Sequence, residues 1–168
     1  MNDSGIDDTT SPRLESVWNY PRPPRLEPTG SLLRVIHQGI VLAETRHGLR
    51  VLETSHPPVY YFPPRDVRTN LLSPSHSSGS YCEFKGVASY WNWAPYGQSP
   101  ISNVAWSYES PSRAYDDLRD YFAFYACRLD ECSVDGERVT PQSGDFYGGW
   151  ITSRIIGPFK GAPGSLNW

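Results

Sequence analysis

Nowhere in the 168 residues does an apolar run approach the roughly 18 residues that a membrane-spanning helix requires. The acidic, polar stretch Met1 to Pro12 has no apolar signal core either, so a cytoplasmic protein is expected. A surplus of cations is also missing. Fifteen Lys and Arg stand against eighteen Asp and Glu, a net charge of −3. That leaves no electrostatic footprint for nucleic acid or for an anionic membrane surface. Cysteine is scarce: Cys82, Cys127 and Cys132 form no CxxC pair and leave one thiol over. Buried, reduced thiols are therefore expected. His37, His47, His56 and His76 have no ligand spacing with Cys or Asp, so no metal and no other cofactor is expected.

What is abundant is proline, glycine and aromatic residues. Sixteen Pro, fourteen Gly and an aromatic content of 14% describe a turn-rich, mainly β chain that fits one domain. Residues 1–15 read as a disordered tail, 16–30 as a Pro-rich arm and 31–168 as the domain. Pro21-Arg22-Pro23-Pro24-Arg25 superficially looks like an SH3 ligand. The large anchors Trp18 and Tyr20 favour an arm lying on its own domain.

The domain opens with a β-meander. Leu32 to His37 and Ile40 to Thr45 flank the turn Gln38-Gly39, and Leu49 to Glu53 follows His47-Gly48. Leu49 and Val51 should share one face of that third strand, Arg50 and Leu52 the other. Cys82 to Trp93 and Val104 to Tyr108 read as further strands. Ser110-Pro111 marks a helix start, and Ala114, Leu118, Tyr121, Phe122 and Tyr125 recur at helical spacing, so one short helix is expected over about 111–121. Asp135-Gly136 turns a last hairpin.

Four constellations could carry chemistry. The first heads the richest segment, Glu53-Thr54-Ser55-His56-Pro57-Pro58-Val59-Tyr60-Tyr61-Phe62-Pro63-Pro64, which is too Pro-rich for a helix or central strand. Strand alternation would put Glu53 and Ser55 on one face, with His56 as general base and Glu53 orienting it; a capped turn is the structural alternative. The second is Cys82-Glu83-Phe84-Lys85-Gly86, where Lys85 could meet an anionic ligand or protect a strand edge. The third is an aromatic surplus, of which Tyr60, Tyr90, Trp91, Trp106, Tyr108 and Trp150 are the candidates to line a pocket. Tyr and Trp carry polar tips that suit a planar or sugar-like ligand, although most such residues are core. The fourth is Gly144-Asp145-Phe146-Tyr147-Gly148-Gly149-Trp150. Asp145 there could face Glu53 or cap a turn, and the paired glycines admit a close approach of backbone to a ligand or strand.

Val51 to Tyr61, Cys82 to Trp91, Ala105-Trp106-Ser107-Tyr108, Ala123-Phe124-Tyr125, Val134-Asp135-Gly136-Glu137 and Gly144 to Thr152 together resemble the family called domain of unknown function 427. Val17 to Arg25 and Gly157-Pro158-Phe159-Lys160-Gly161 resemble its longer, cyanobacterial-type members. The resemblance implies a small antiparallel two-sheet fold or partly open barrel, β-tent-like, as in methionine sulfoxide reductase B and the ligand-binding domain of cereblon. Those relatives commonly carry CxxC zinc pairs, which are missing here. The resemblance also brings a nucleotidyltransferase label, which the motifs do not support. Gly144-Asp145 is followed by Tyr147 where a second acid is needed, and no phosphate-binding glycine loop is present.

The leading expectation is a small-molecule site, catalytic or not, with Glu53, Ser55, His56 and Asp145 as its reactive groups. Tyr60, Cys82, Lys85, Tyr90, Trp91, Trp106, Tyr108 and Trp150 would bind the ligand. The runner-up is an interaction or homodimerisation module using the arm and an aromatic face.

Overall fold

The computed structural model describes residues 13–168. Most of the expected tail lies outside them, and Glu15 is already paired in a strand.

Along the chain the strands are β1 (Glu15–Ser16), β2 (Arg25–Thr29), β3 (Leu33–His37), β4 (Ile40–Thr45), β5 (Gly48–Leu52), β6 (Val59–Tyr61), β7 (Leu72–Pro74) and β8 (Ser80–Cys82). They continue as β9 (Gly86–Trp93), β10 (Ile101–Ser107), β11 (Phe122–Phe124), β12 (Glu131–Val134), β13 (Glu137–Arg138), β14 (Thr140–Pro141), β15 (Trp150–Ile151) and β16 (Ile155–Ile156). Three antiparallel sheets carry the body: β13-β12-β3-β4, β2-β5-β6, and β11-β10-β9-β7 with β8 added beside β9. The protein is mainly β, with open sheets and short helical turns between them.

Local chemistry explains the turns. Gln38 and Gly39 both take positive φ (51° and 73°), as do Asp135 and Gly136 (50° and 82°), which is the primed turn whose twist matches two paired strands. The strand after Gly48 alternates as expected. Val51 packs in one apolar cluster with Leu49 against it, Leu52 packs in another, and Arg50 turns to carboxylates.

The helix expected over 111–121 does not form. Arg113–Leu118 is a 3-10 turn interrupted at Tyr115 (φ −119°, ψ 23°). Asp120, at φ 62°, stops it before Phe122–Phe124 pairs with β10. Tyr115 is held by its phenol donating to the Pro24 carbonyl at 2.7 Å. The single strand expected over Cys82–Trp93 is a hairpin: Cys82 pairs with Gly86 around the loop Glu83-Phe84-Lys85. Gly86 at φ 108° makes that reversal without a Cβ penalty.

Period-two alternation splits the interior into two clusters. On β6, Tyr60 joins the main core and Tyr61 the second cluster; Phe62, just beyond, returns to the main core. On β11, Phe122 and Phe124 face the main core and Ala123 faces the second cluster. Reciprocal backbone hydrogen bonds between Phe62 and Phe122, at 2.8 and 2.9 Å, tie the two sheets together at this seam. The second cluster, rich in Tyr and Trp, forms the wall and floor of the candidate site.

The arm lies on its own domain. Its last residues form β2, paired over its length with β5, so the sheet begins before the expected boundary at residue 31. Val17 and Tyr20 pack with Leu52 and Ile155. The Tyr20 phenol donates to Glu15, and Arg50 clamps Glu15 through two nitrogens (2.9 and 3.1 Å) and also binds Glu27. Burial opposes charge on Glu15, but the hydrogen bonds from Arg50 and Tyr20 outweigh it and hold the carboxyl below its usual range.

Candidate functional site

Three segments from distant parts of the chain enclose a cavity of about 290 Å³. The first is the turn after β5. Thr54 is held by its hydroxyl to the Tyr20 carbonyl, and Ser55 by its N–H to the Val17 carbonyl at 3.1 Å. This presents Glu53 and His56 to the space beyond. The second is the β8–β9 hairpin. Ser112 grips its loop by donating its hydroxyl to the Phe84 carbonyl and its N–H to the Lys85 carbonyl. Lys85 therefore stands on a braced loop. The third is residues 142–160, which bring Gln142, Tyr147 and Lys160. Tyr61, Tyr90, Trp106, Tyr108 and Tyr125 supply the aromatic surface.

The paired glycines make room for this wall. A Cβ on Gly148 would collide with the six-membered ring of Trp106, and one on Gly149 would lie 2.6 Å from Pro57 and 2.7 Å from the Gln142 amide oxygen. The close approach anticipated there is thus to an indole and a proline within the same domain.

Gln142 fixes the state of His56. Its Oε1 accepts from the Gly149 N–H at 3.1 Å and its Nε2 donates to the Lys160 carbonyl at 2.8 Å. Those two backbone partners leave the amide one orientation, with its second hydrogen toward Nδ1 of His56 at 3.2 Å. Nδ1 must then accept, and the imidazole proton resides on Nε2. Burial, reinforced by the charges of Lys160, Arg22 and Lys85, brings the His56 pKa down to about 4. The 3.5 Å approach of Nε2 to Glu53 is accordingly not an ion pair at neutral pH. Glu53 pairs instead with Arg22 at 3.2 Å, which weakens its pull on the imidazole. The general-base role expected for His56 does not fit a ring this weakly basic with Nδ1 already engaged.

Lys85 donates to Cys82 Sγ at 3.3 Å and lies 5.9 Å above the Tyr108 ring. Burial opposes its charge, but Tyr61, Cys82 and Glu53 outweigh that and hold its pKa above the ordinary lysine value. Lys160 lies 5.6 Å above the Tyr147 ring, whose edge meets His56 at 4.9 Å. Burial pushes the phenols of Tyr61, Tyr108 and Tyr125 up, so all three keep their protons at neutral pH.

Of the residues singled out from the sequence, Glu53, His56, Cys82, Lys85, Tyr90, Trp106 and Tyr108 line this cavity, and five do not. Ser55 takes φ 72° after the strand has ended, which breaks the alternation with Glu53; its hydroxyl is enclosed and unpartnered, away from the cavity. Asp145 is exposed, and its backbone carbonyl receives Arg128. Trp91 falls on the opposite face of β9 from Tyr90, where it packs on Phe122 and donates to Ser107. Trp150 is in the main core, donating its indole N–H to the Phe124 carbonyl at 3.0 Å. Tyr60 lines a separate cleft of about 370 Å³ with Arg50 and Glu27. That cleft is larger, but Arg50, Glu15 and Glu27 already satisfy one another in it, so the aromatic cavity is the better candidate.

Sequence reasoning missed Gln142 and Lys160 as site residues. Lys160 sits in a segment read for its family resemblance and not for a site, and a lone glutamine gives no local signal. The thiols are free: Cys132 is buried, with its pKa pushed up to about 12 by burial, Cys82 is half-buried and Cys127 is exposed, contrary to the expectation that all are buried. Among the described residues no group of three or more His, Cys, Asp and Glu is arranged to hold a metal ion, and no helix is long and apolar enough to cross a membrane.

A small, open-sheeted β protein with an aromatic-lined cavity is the class these features define. The profile of a family described as domain of unknown function (DUF427), labelled NTP_transf_9, matches residues 25–135, and the chain belongs to that family. No curated protein matches the chain.

Proposed function

We propose that this protein binds a small molecule with a flat body in the cavity between the β5–β6 turn, the β8–β9 hairpin and residues 142–160. The observation that carries this reading is convergence. Glu53, His56, Cys82, Lys85, Tyr90, Trp106 and Tyr108, drawn from separate segments, line one concave space. Its volume, about 290 Å³, is near the lower end of ligand pockets, which begin at roughly 300 Å³. Aromatic walls with a few polar groups are the usual composition of such pockets. Any reaction in the cavity would draw on Cys82 beside the Lys85 ammonium, since Ser55 is turned away and His56 is a poor base.

A thermal-shift screen of nucleotides, sugars and amino-acid derivatives tests this reading. A specific stabilisation that is lost in His56→Ala and Lys85→Ala supports it. Stabilisation that survives both substitutions would place the ligand elsewhere.

Two other readings have less support. Nucleotidyl transfer, the activity in the family label, asks for paired acids on a metal. The cavity's carboxylates are Glu53, which Arg22 engages, and Glu83 on the exposed hairpin loop. An interaction or dimerisation module would need a free arm, whereas Tyr20 is buried, Arg22 is paired with Glu53, and Trp18, though 42% exposed, stacks edge-on against Trp168.

A further inference from the structure

Resting on that binding reading, we propose that the occupant of the cavity carries a carboxylate on a flat apolar body, and that Lys160 and Gln142, which lie outside the residues matching the family profile, make the cavity select it. The Gln142 contact leaves the Nε2–H of His56 as a donor, and its 3.5 Å separation from Glu53 is too long for a good hydrogen bond. Lys85 gives one hydrogen to Cys82, and Lys160 gives one to the Trp168 carbonyl. Each ammonium has three hydrogens, so both retain donors. Among the described residues no Asp or Glu lies within salt-bridge distance of Lys85, while Glu53, the acid nearest His56, is held by Arg22.

Lys85 is a half-buried ammonium without an acidic side chain at salt-bridge distance, which is unfavourable, and an anion supplied by a ligand offsets that cost. Two ammonium groups and one imidazole N–H match a carboxylate, which is acceptor-only. They match a nucleoside triphosphate poorly, because its charge exceeds that of two lysines in so small a space. The aromatic residues around the two cations suit a flat body attached to that head: Tyr108 lies beneath Lys85, Tyr147 beneath Lys160, and Trp106 forms the floor against Gly148. The profile-matched part of the chain thus supplies one cation and most of the aromatic surface. Residues 142–160 supply the second cation and the amide that holds His56 as a donor.

Matched acid–amide pairs test this on the full chain: indole-3-acetate against indole-3-acetamide, benzoate against benzamide, and nicotinate against nicotinamide. Binding is followed by calorimetry and by the NMR signals of His56, and ATP serves as a separate arm. At least one acid should bind ten-fold or more tighter than its amide. That advantage should fall to less than three-fold in Lys160→Gln and in Lys85→Gln, and persist in Arg65→Gln, a charge control on another surface. Equal binding of acid and amide at the His56 signals overturns the carboxylate assignment and leaves the small-molecule site standing. ATP binding that depends on both lysines, with no response to the acids, overturns it in favour of a phosphorylated ligand. No perturbation of His56 by any probe overturns both readings.

Discussion

The side-chain amide of Gln142 faces Nδ1 of His56 at 3.2 Å, and the Gly149 N–H and Lys160 carbonyl permit it no other orientation. One buried glutamine thereby decides which imidazole nitrogen carries the proton and which way that proton points. A histidine that sequence order casts as a base becomes a fixed donor.

The first prediction is the titration of that ring. His56 should remain neutral down to about pH 4 in an NMR titration, as its pKa is lowered to about 4 by burial and nearby cations. Arg22→Ala should raise it, because one opposing cation is removed and Glu53 is freed to attract the imidazolium. Gln142→Glu should raise it further by placing an anion at Nδ1. A wild-type value near 6.5 would remove the fixed-donor argument.

The same group shapes stability in acid. The folded imidazole titrates at about 4 and the unfolded one near 6.5. Between these values the unfolded chain binds more protons. Stability should therefore fall as pH drops from about 6.5 to about 4, by an amount that reaches roughly 2–3 kcal/mol. Urea denaturation of His56→Gln should lack this limb. The depressed Glu15 contributes in a lower window, where stability is lost as pH falls below its ordinary value of 4.5 through its lowered one. The two effects are separable by pH.

How much of this was legible in the sequence depends on the range of the signal. Turn chemistry is local, so Gln38-Gly39 and Asp135-Gly136 could be read directly, as could the opposed faces of Leu49 and Arg50. Strand parity is also local: Tyr90 and Trp91 cannot both face one cavity, nor can Tyr60 and Tyr61. The helix expected at 111–121 fails because contacts from elsewhere decide that segment: the Pro24 carbonyl takes the Tyr115 phenol, and β10 captures Phe122–Phe124. Gln142 and Lys160 act through partners far away in sequence: Gln142 reaches His56 across 86 residues, and the Lys160 N–H reaches the Ser55 carbonyl. No spacing rule captures such contacts.

Gly148→Ala is a steric probe of the cavity wall. The new methyl group must displace the Trp106 indole, so the variant should lose about 1–3 kcal/mol of stability, as over-packed interiors do. Trp fluorescence should change and ligand binding weaken. A variant of wild-type stability with unchanged fluorescence would mean that the indole does not abut this backbone.

The three thiols should separate in a labelling experiment. Cys127 is exposed and should react first; Cys132 is buried, with its pKa pushed up to about 12, and should react only on unfolding. Cys82 lines the cavity and should react at an intermediate rate, slowed by any ligand that binds there. Mass spectrometry of the labelled peptides gives the order, and protection of Cys127 rather than Cys82 by a ligand would place binding on a different surface.

The convergence of the β5–β6 turn, the β8–β9 hairpin and residues 142–160 on one ligand site is tested most directly by crystals soaked with the flat acids and their amides. Density for an acid lying against Trp106 and Tyr108, its carboxylate within hydrogen-bond distance of Lys85, Lys160 or the His56 Nε2–H, is the predicted result. Fragments gathering only in the Arg50 cleft or on the surface, with ordered water alone beside Lys85 and Lys160, would contradict it.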